Sequence, residues 1–163
     1  SRPHPTEPLD ESGQGDAFVG LSFCAIRAVV DVDIELGTIR VVEMAVAQDV
    51  GRVLNPAQLR TRIEAGVTQG IGTALTENLR TGRGLVRHPD LTGYALPTSL
   101  DAPDIKIVRL VEERDVVAPF GAKPGSAVSV VTSPAAVASA VRAATGRPVG
   151  RLPIRPQAAV AQG

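Results

Sequence analysis

Asp49-Val50-Gly51-Arg52-Val53-Leu54-Asn55-Pro56 leads into a patterned segment that runs to Leu79, and the reading of this stretch decides the fold. Asn55 is a strong helix N-cap, because its side-chain oxygen accepts from an otherwise unpaired amide of the first turn. Pro56 suits the first helical position, where its fixed φ is already helical and no N–H is needed. Beyond it Leu59, Ile63, Val67, Ile71, Leu75 and Leu79 recur at every fourth position, along one slowly drifting face. The pattern predicts a core helix that starts at Pro56 and carries its stripe as far as Leu79. Gly66, Gly70, Gly72 and Ala74 give the same segment small surfaces, although each glycine costs about 1 kcal/mol of helix propensity relative to alanine. Full burial of an aliphatic side chain recovers roughly 1.5–3 kcal/mol, so the stripe offsets that cost and the glycines predict close approach of another backbone.

Working outward, residues 1–16 hold Pro3, Pro5 and Pro8 with Gly13 and Gly15, and predict an extended lead-in to a domain over 17–163. A proline-rich opening without an initiating methionine suggests processing or a segment of something longer. From Ala17 to Ile34 the chain is β-rich, with Ala28, Val30, Val32 and Ile34 alternating against Val29, Asp31 and Asp33. Glu35-Leu36-Gly37 signals a turn and Thr38 to Val46 a second strand, so a β-hairpin feeds the helix. Downstream, short strands are expected near Leu85–Arg87 and Leu91–Leu96, and a firmer one over Ile105–Val111. Ser133-Pro134 repeats the cap-plus-proline start, and Gly146 suits a helix end, so a second helix is expected over about 134–145. The proline-bearing Leu152–Pro156 end reads as extended. The fold class is α/β in the α+β sense: a β-hairpin and mixed sheet packed against two helices.

At 163 residues one domain with a real core is the default, since chains of this size bury roughly 68–70% of their unfolded surface. The 44% hydrophobic content with only 2% aromatics means a core of Val, Leu, Ile and Ala. Lysine plus arginine and aspartate plus glutamate number 17 each, which removes the net positive field that nucleic-acid binding draws on. The single cysteine, Cys24, excludes an internal disulfide framework and a thiolate cluster. With no leader pattern and no 18-residue apolar run, the sequence predicts neither a membrane nor a nucleic-acid partner, and a cytoplasmic location.

Few residues offer chemistry on their own. Gly70-Ile71-Gly72 lacks the third glycine of a dinucleotide loop, which would fall on Leu75, and lies inside the helix. The Gly66-x-x-x-Gly70 spacing matches a membrane dimer motif, but Arg60, Arg62, Glu64 and Glu77 accompany it. His4 and His88 have no acid–base partner nearby in sequence, and Cys24 reads as a buried small hydrophobe. Ser126 and Ser129 lack a nucleophile elbow, with no histidine after them. No metal-ligand set is recognisable.

Several motifs nevertheless occur in a familiar order: Gly13-Gln14-Gly15-Asp16, Val30-Asp31-Val32-Asp33, Asp49 to Pro56, Ile63-Glu64-Ala65-Gly66, Gln69-Gly70-Ile71-Gly72, Tyr94-Ala95-Leu96-Pro97-Thr98, Gly121-Ala122-Lys123 and Ala144-Thr145-Gly146. Together they resemble the C-terminal part of the molybdopterin-binding subunit of the xanthine dehydrogenase and aldehyde oxidase family, over nearly the whole chain. The resemblance implies part of a molybdopterin-binding domain, with the molybdenum cofactor shared with the remainder of that subunit. It implies FAD and 2Fe-2S clusters on partner chains or domains only. Family members hydroxylate an aldehyde or aromatic N-heterocycle with oxygen from water. A glutamate at the end of a G-x-K-G-x-G-E loop serves as general base, and such a base must reach the proton it removes.

Laid on Gly121-Ala122-Lys123-Pro124-Gly125-Ser126-Ala127, that loop places Ala127 at the glutamate position, and no Asp or Glu follows Asp115. The family's Gln-Ile-Glu-Gly-Gly, whose glutamine lies near the pterin, is Arg62-Ile63-Glu64-Ala65-Gly66 here. The resemblance thus implies Arg62, Gly121 and Lys123 as cofactor-binding residues, with Arg62 either pairing with a cofactor phosphate or standing solvated on the polar face of the helix, and leaves no catalytic residue in this chain. The expected function is a segment or subunit of a molybdenum-dependent hydroxylase, an oxidoreductase inactive alone. The alternatives are a degenerate structural or interaction module, or a small-molecule-binding domain reusing the fold.

Overall fold

In a computed structural model, residues 6–17, 20–91, 93–114 and 118–160 are described. Two long strands open the fold, β1 (Cys24–Val32) and β2 (Ile39–Asp49), paired antiparallel. Asp33 closes their turn: its side chain accepts from the Glu35 and Leu36 amides at 2.9 Å each, and Gly37 takes a φ of +73°. Helix α1 (Pro56–Leu75) then carries the chain to β5 (Asp104–Val111), which pairs parallel to β2, while β3 (Thr81–Gly82) and β4 (Leu85–Val86) form a separate small hairpin. The three-stranded sheet β1-β2-β5 is therefore mixed, as the sequence predicts. Helix α2 (Ala127–Thr145) packs on α1 and β1, and a short α3 (Pro156–Ala159) ends the described chain.

A bulge sets which face of β2 meets the core. Val30 pairs with Val41 and Val29 with Glu43, so Val42 is extra. Ile39 and Val41 point inward before it, and Met44, Val46 and Gln48 after it. Uninterrupted alternation would send one set to the other face. Met44, Val46, Val50, Ile63, Val67, Ile71, Ala74, Val137, Val141 and Ile154 make up most of the core.

The α1 start follows its sequence signal, with Asn55 Oδ1 accepting from the Gln58 amide at 3.0 Å. Its end does not. The helix stops at Leu75, the Thr76 and Glu77 amides both turn back to the Gly72 carbonyl, and Leu79 is 64% exposed. Glu77 then accepts from the Tyr94 hydroxyl at 2.8 Å, which raises the phenol's pKa because the carboxylate stabilises the neutral form. Residue 92 of the expected 91–96 strand lies outside the described residues; 93–96 form no strand, the Asp90 side chain and carbonyl accepting from the Gly93 and Tyr94 amides, and the 85–87 strand is reduced to two residues. The lead-in over its described part doubles back, with the Glu7 amide donating to the Asp16 carbonyl at 2.7 Å. His4 lies outside the described residues.

Helix α2 begins seven residues before the expected start, and Pro134 sits in its interior. The reason is tertiary. Gly66 and Gly70 of α1 lie against Ser126, Ser129, Val130, Ser133 and Pro134 of the α2 region, with Ser129 and Ser133 fully buried. The Val130 carbonyl, which Pro134 cannot bond for want of an N–H, is accommodated beside Gly70. The Ser133 hydroxyl bonds back to the Ser129 carbonyl at 2.7 Å, covering the seam's other polar group. By length and composition α2 could cross a bilayer, but this seam and its core valines make it a helix of a folded domain.

A Cβ at Gly70 would stand 2.6 Å from Ser133 Cβ and 2.8 Å from the Val130 carbonyl. Gly70→Ala is therefore expected to destabilise by about 1–3 kcal/mol despite its better helix propensity. Urea unfolding checks this, with exposed Thr73→Ala expected to stay within about 0.5 kcal/mol of the parent.

Candidate functional site

The loop that follows β5 is bound to the end of β2. The Arg52 amide donates to the Gly121 carbonyl at 2.7 Å and the Lys123 amide to the Val50 carbonyl at 3.0 Å, around a Gly51–Ala122 bridge. Gly51 has φ +59°, and a Cβ there would run into the Gly121 carbonyl. Position 51 thus needs glycine both for its backbone conformation and for the approach of the loop.

Two polar side chains at the inner end of β2 complete the attachment. Asp49 and Lys123 form an ion pair at 2.5 Å with side chains only 7% and 10% exposed. The other Asp49 oxygen accepts from the Gly51 amide at 3.1 Å, while its backbone carbonyl accepts from the Ser22 hydroxyl at 2.6 Å. Gln48, 1% exposed, donates to the Gly125 carbonyl at 2.8 Å. Sequence reasoning missed Gln48 and this use of Asp49 because it ended the strand at Val46. The available signal was phase: position 48 continues the inward series Met44, Val46, where a buried amide requires a partner.

Of the residues implied for cofactor binding, Gly121 and Lys123 are thus drawn into the loop's own scaffold, and the Lys123 ammonium is consumed by Asp49. Arg62 is exposed and flanks the same loop, its Cβ stem beside Gly125, one turn before the Gly66 contact with Ser126. Ala127 is the exposed first residue of α2. That helix start has no side-chain cap and no acidic residue in its first turn, so its leading amides contribute a partial positive charge two residues after Gly125, the residue that adjoins Arg62. The set suits an anionic group, by the same logic that places phosphates at helix N-termini.

The remaining candidates do not converge here. His88 is exposed against Gly93, away from this loop. Cys24 is half-buried rather than fully buried, with its Sγ 3.9 Å from Gln48 Oε1, and burial raises its thiol pKa, which disfavours the thiolate. No cluster of three or more His, Cys, Asp or Glu able to hold a metal occurs among the described residues.

A mixed sheet backed by two close-packed helices, with an anion-suited corner where a strapped loop enters a helix, defines a segment of a cofactor-binding domain. The chain belongs to the molybdopterin cofactor-binding domain family, which it matches over residues 2–103. It is 31% identical over 128 residues to the putative xanthine dehydrogenase molybdenum-binding subunit of Escherichia coli (strain K12), covering 77% of this chain and 17% of that one. It is 30% identical over 146 residues to an aldehyde oxidoreductase of Megalodesulfovibrio gigas, covering 90% of this chain and 16% of that one. The aldehyde oxidoreductase structure from Desulfovibrio desulfuricans superposes with a TM-score of 0.86 at 28% identity, over 96% of this chain and 17% of that one. The chain therefore spans about one sixth of the length of the relatives it matches.

Removing one partner of the buried pair leaves an uncompensated charge. Lys123→Met is expected to cost about 3–5 kcal/mol, and a combined Asp49→Asn and Lys123→Met change distinctly less than the two single losses together. Chemical denaturation of the four proteins in the cycle measures this coupling.

Proposed function

We propose that this chain is the cofactor-facing segment of a molybdenum-dependent hydroxylase subunit, an oxidoreductase whose activity needs the rest of that subunit. The observation that carries the reading is the juxtaposition of Arg62 with the uncapped start of α2 beside the strapped 121–126 loop. This donor set fits the anionic phosphate end of molybdopterin: a guanidinium that stays charged, and amides already oriented by the helix. The cofactor, when bound, supplies the metal-centred hydroxylation chemistry. The chain's own residues position it. Asp49, Lys123 and Gln48 fix the loop, Gly125 leaves room beside Arg62, and Arg62 with the α2 amides offsets negative charge.

Ala127 supplies no proton acceptor, and no carboxylate follows in the described chain to replace it. This observation favours a second reading, a domain retained for structure or assembly after loss of the base. Relatives of this chain include a named subunit of a dehydrogenase complex, the gamma subunit of 6-hydroxypseudooxynicotine dehydrogenase from Paenarthrobacter nicotinovorans, 30% identical over 131 residues. On this reading, and as the motif resemblance implies, the electrons leave through FAD-binding and 2Fe-2S partners.

The test uses the complete subunit or complex that carries this segment. Molybdenum and released pterin are expected in the purified material, and Arg62→Gln is expected to weaken pterin retention about tenfold, the scale of a lost charge-assisted hydrogen bond. Ala127→Glu is expected to fold normally, since an acidic residue in a first helical turn adds about 0.3–1 kcal/mol, and to raise hydroxylation of an aldehyde or N-heterocycle. Assembly with partners in the absence of both metal and pterin overturns the enzyme reading in favour of the structural one.

A further inference from the structure

At the opposite end of α1 the chain builds a second polar feature that the cofactor reading does not use. The 20 residues of α1 place its two ends about 30 Å apart. Past its C-terminus, the β3–β4 hairpin contributes Arg80 and Arg87, and the returning C-terminal segment contributes Arg151 and Arg155. That segment is fixed to the helix by the Ile154 amide, which donates to the Ala74 carbonyl at 2.7 Å, and by the buried Ile154 side chain. The four arginines ring one cavity of about 500 Å³. Its lining contains no Asp or Glu, and none of the four makes an ion pair among the described residues.

The Asn78 amide sits between two of them; oriented so that its oxygen faces these donors, it accepts from Arg155 Nη2 at 2.6 Å and from Arg80 Nε at 3.0 Å. An adjoining cavity shares Arg80 and Arg155 and adds His88. The nearest acids in sequence, Glu77 and Asp90, line neither cavity: Glu77 accepts from the Tyr94 hydroxyl and Asp90 from the Gly93 amide. The α1 C-terminus offers about half a negative charge, which leaves most of four permanent positive charges without an answer. Elsewhere several exposed cations are paired, Arg27 and Lys106 with Glu43, Arg40 with Asp31, and Arg60 with Glu64, whereas the exposed Arg52, Arg62, Arg83, Arg109 and Arg142 make no ion pair among the described residues but do not gather round one cavity. Sharing the Asn78 oxygen holds the Arg80 and Arg155 side chains beside one another at the cavity, and their remaining N–H groups are donors of the kind that phosphate oxygens accept from.

We propose that this cavity is an oxyanion site for a small soluble molecule carrying a diphosphate group, held by Arg80, Arg87, Arg151 and Arg155. The volume lies within the range of small-molecule sites and leaves room for a substituent on the diphosphate. Because it stands at the far end of α1 from Arg62, it is independent of the cofactor corner.

The test is calorimetric titration of the complete subunit or complex that carries this segment with pyrophosphate at fixed ionic strength, with sulfate in parallel. Pyrophosphate is expected to bind at least about tenfold more tightly than sulfate, and the Arg151→Gln/Arg155→Gln double variant to weaken it by about tenfold or more. Arg27→Gln/Arg40→Gln, which removes two exposed charges from the sheet, is expected to leave the affinity unchanged. Equal affinity of the parent and the Arg151/Arg155 variant overturns the proposal, as does pyrophosphate binding no tighter than sulfate. Tighter capture by phosphatidate vesicles, an oligonucleotide or an Asp/Glu-rich peptide than by pyrophosphate assigns the arginines to a surface partner and likewise overturns it.

Discussion

The ion pair between Asp49 and Lys123 joins positions 74 residues apart, and the architecture around the candidate site depends on it. Burying two charges is expensive, and their attraction repays it only where the remaining oxygens and protons are also bonded. Here they are: Asp49 divides its two oxygens between the ammonium and the Gly51 amide. Such a pair adds little net stability compared with well-packed apolar residues. Its contribution is specificity, because a loop displaced by one residue would bury an unpartnered carboxylate. Gln48 acts with it, fixing the Gly125 carbonyl one step closer to the helix.

From that anchor the chain enters α2 at the one place where α1 is thin enough to receive it. Gly66 meets Ser126 and Ser129, and Gly70 meets Ser133 and Pro134, so the helices approach through backbone rather than interlocked side chains. A contact of this kind has few rotamers with which to adjust. The relative placement of Arg62 and the start of α2 is therefore set by backbone geometry, which keeps the charge at this corner fixed.

What could be read from the sequence divides along the range of the interaction responsible. Asn55-Pro56 acts within one turn, and the α1 start was legible; so was the Asp33–Gly37 turn, whose bonds are all local. The start of α2 was not, because Ser133-Pro134 carries a genuine local start signal that packing against Gly66 and Gly70 overrides. The glycines did predict close approach, though not of which element. Leu79 fitted the helical period but lies beyond the point where the Gly72 carbonyl draws in the Thr76 and Glu77 amides. At the site, the motifs pointed to the loop and to Arg62. They could not disclose that Lys123 is spent on Asp49, since a lysine's partner is decided by the third dimension.

The pairing of Tyr94 with Glu77 has a spectroscopic consequence. The chain has one tyrosine and no tryptophan, so its near-ultraviolet absorbance and its intrinsic emission arise essentially from a single ring. That ring reports on the exit of α1, where its phenol is held to a carboxylate and ionises only above the usual tyrosine range. The protein thus carries its own optical label at the end of the helix that its sequence most plainly announces.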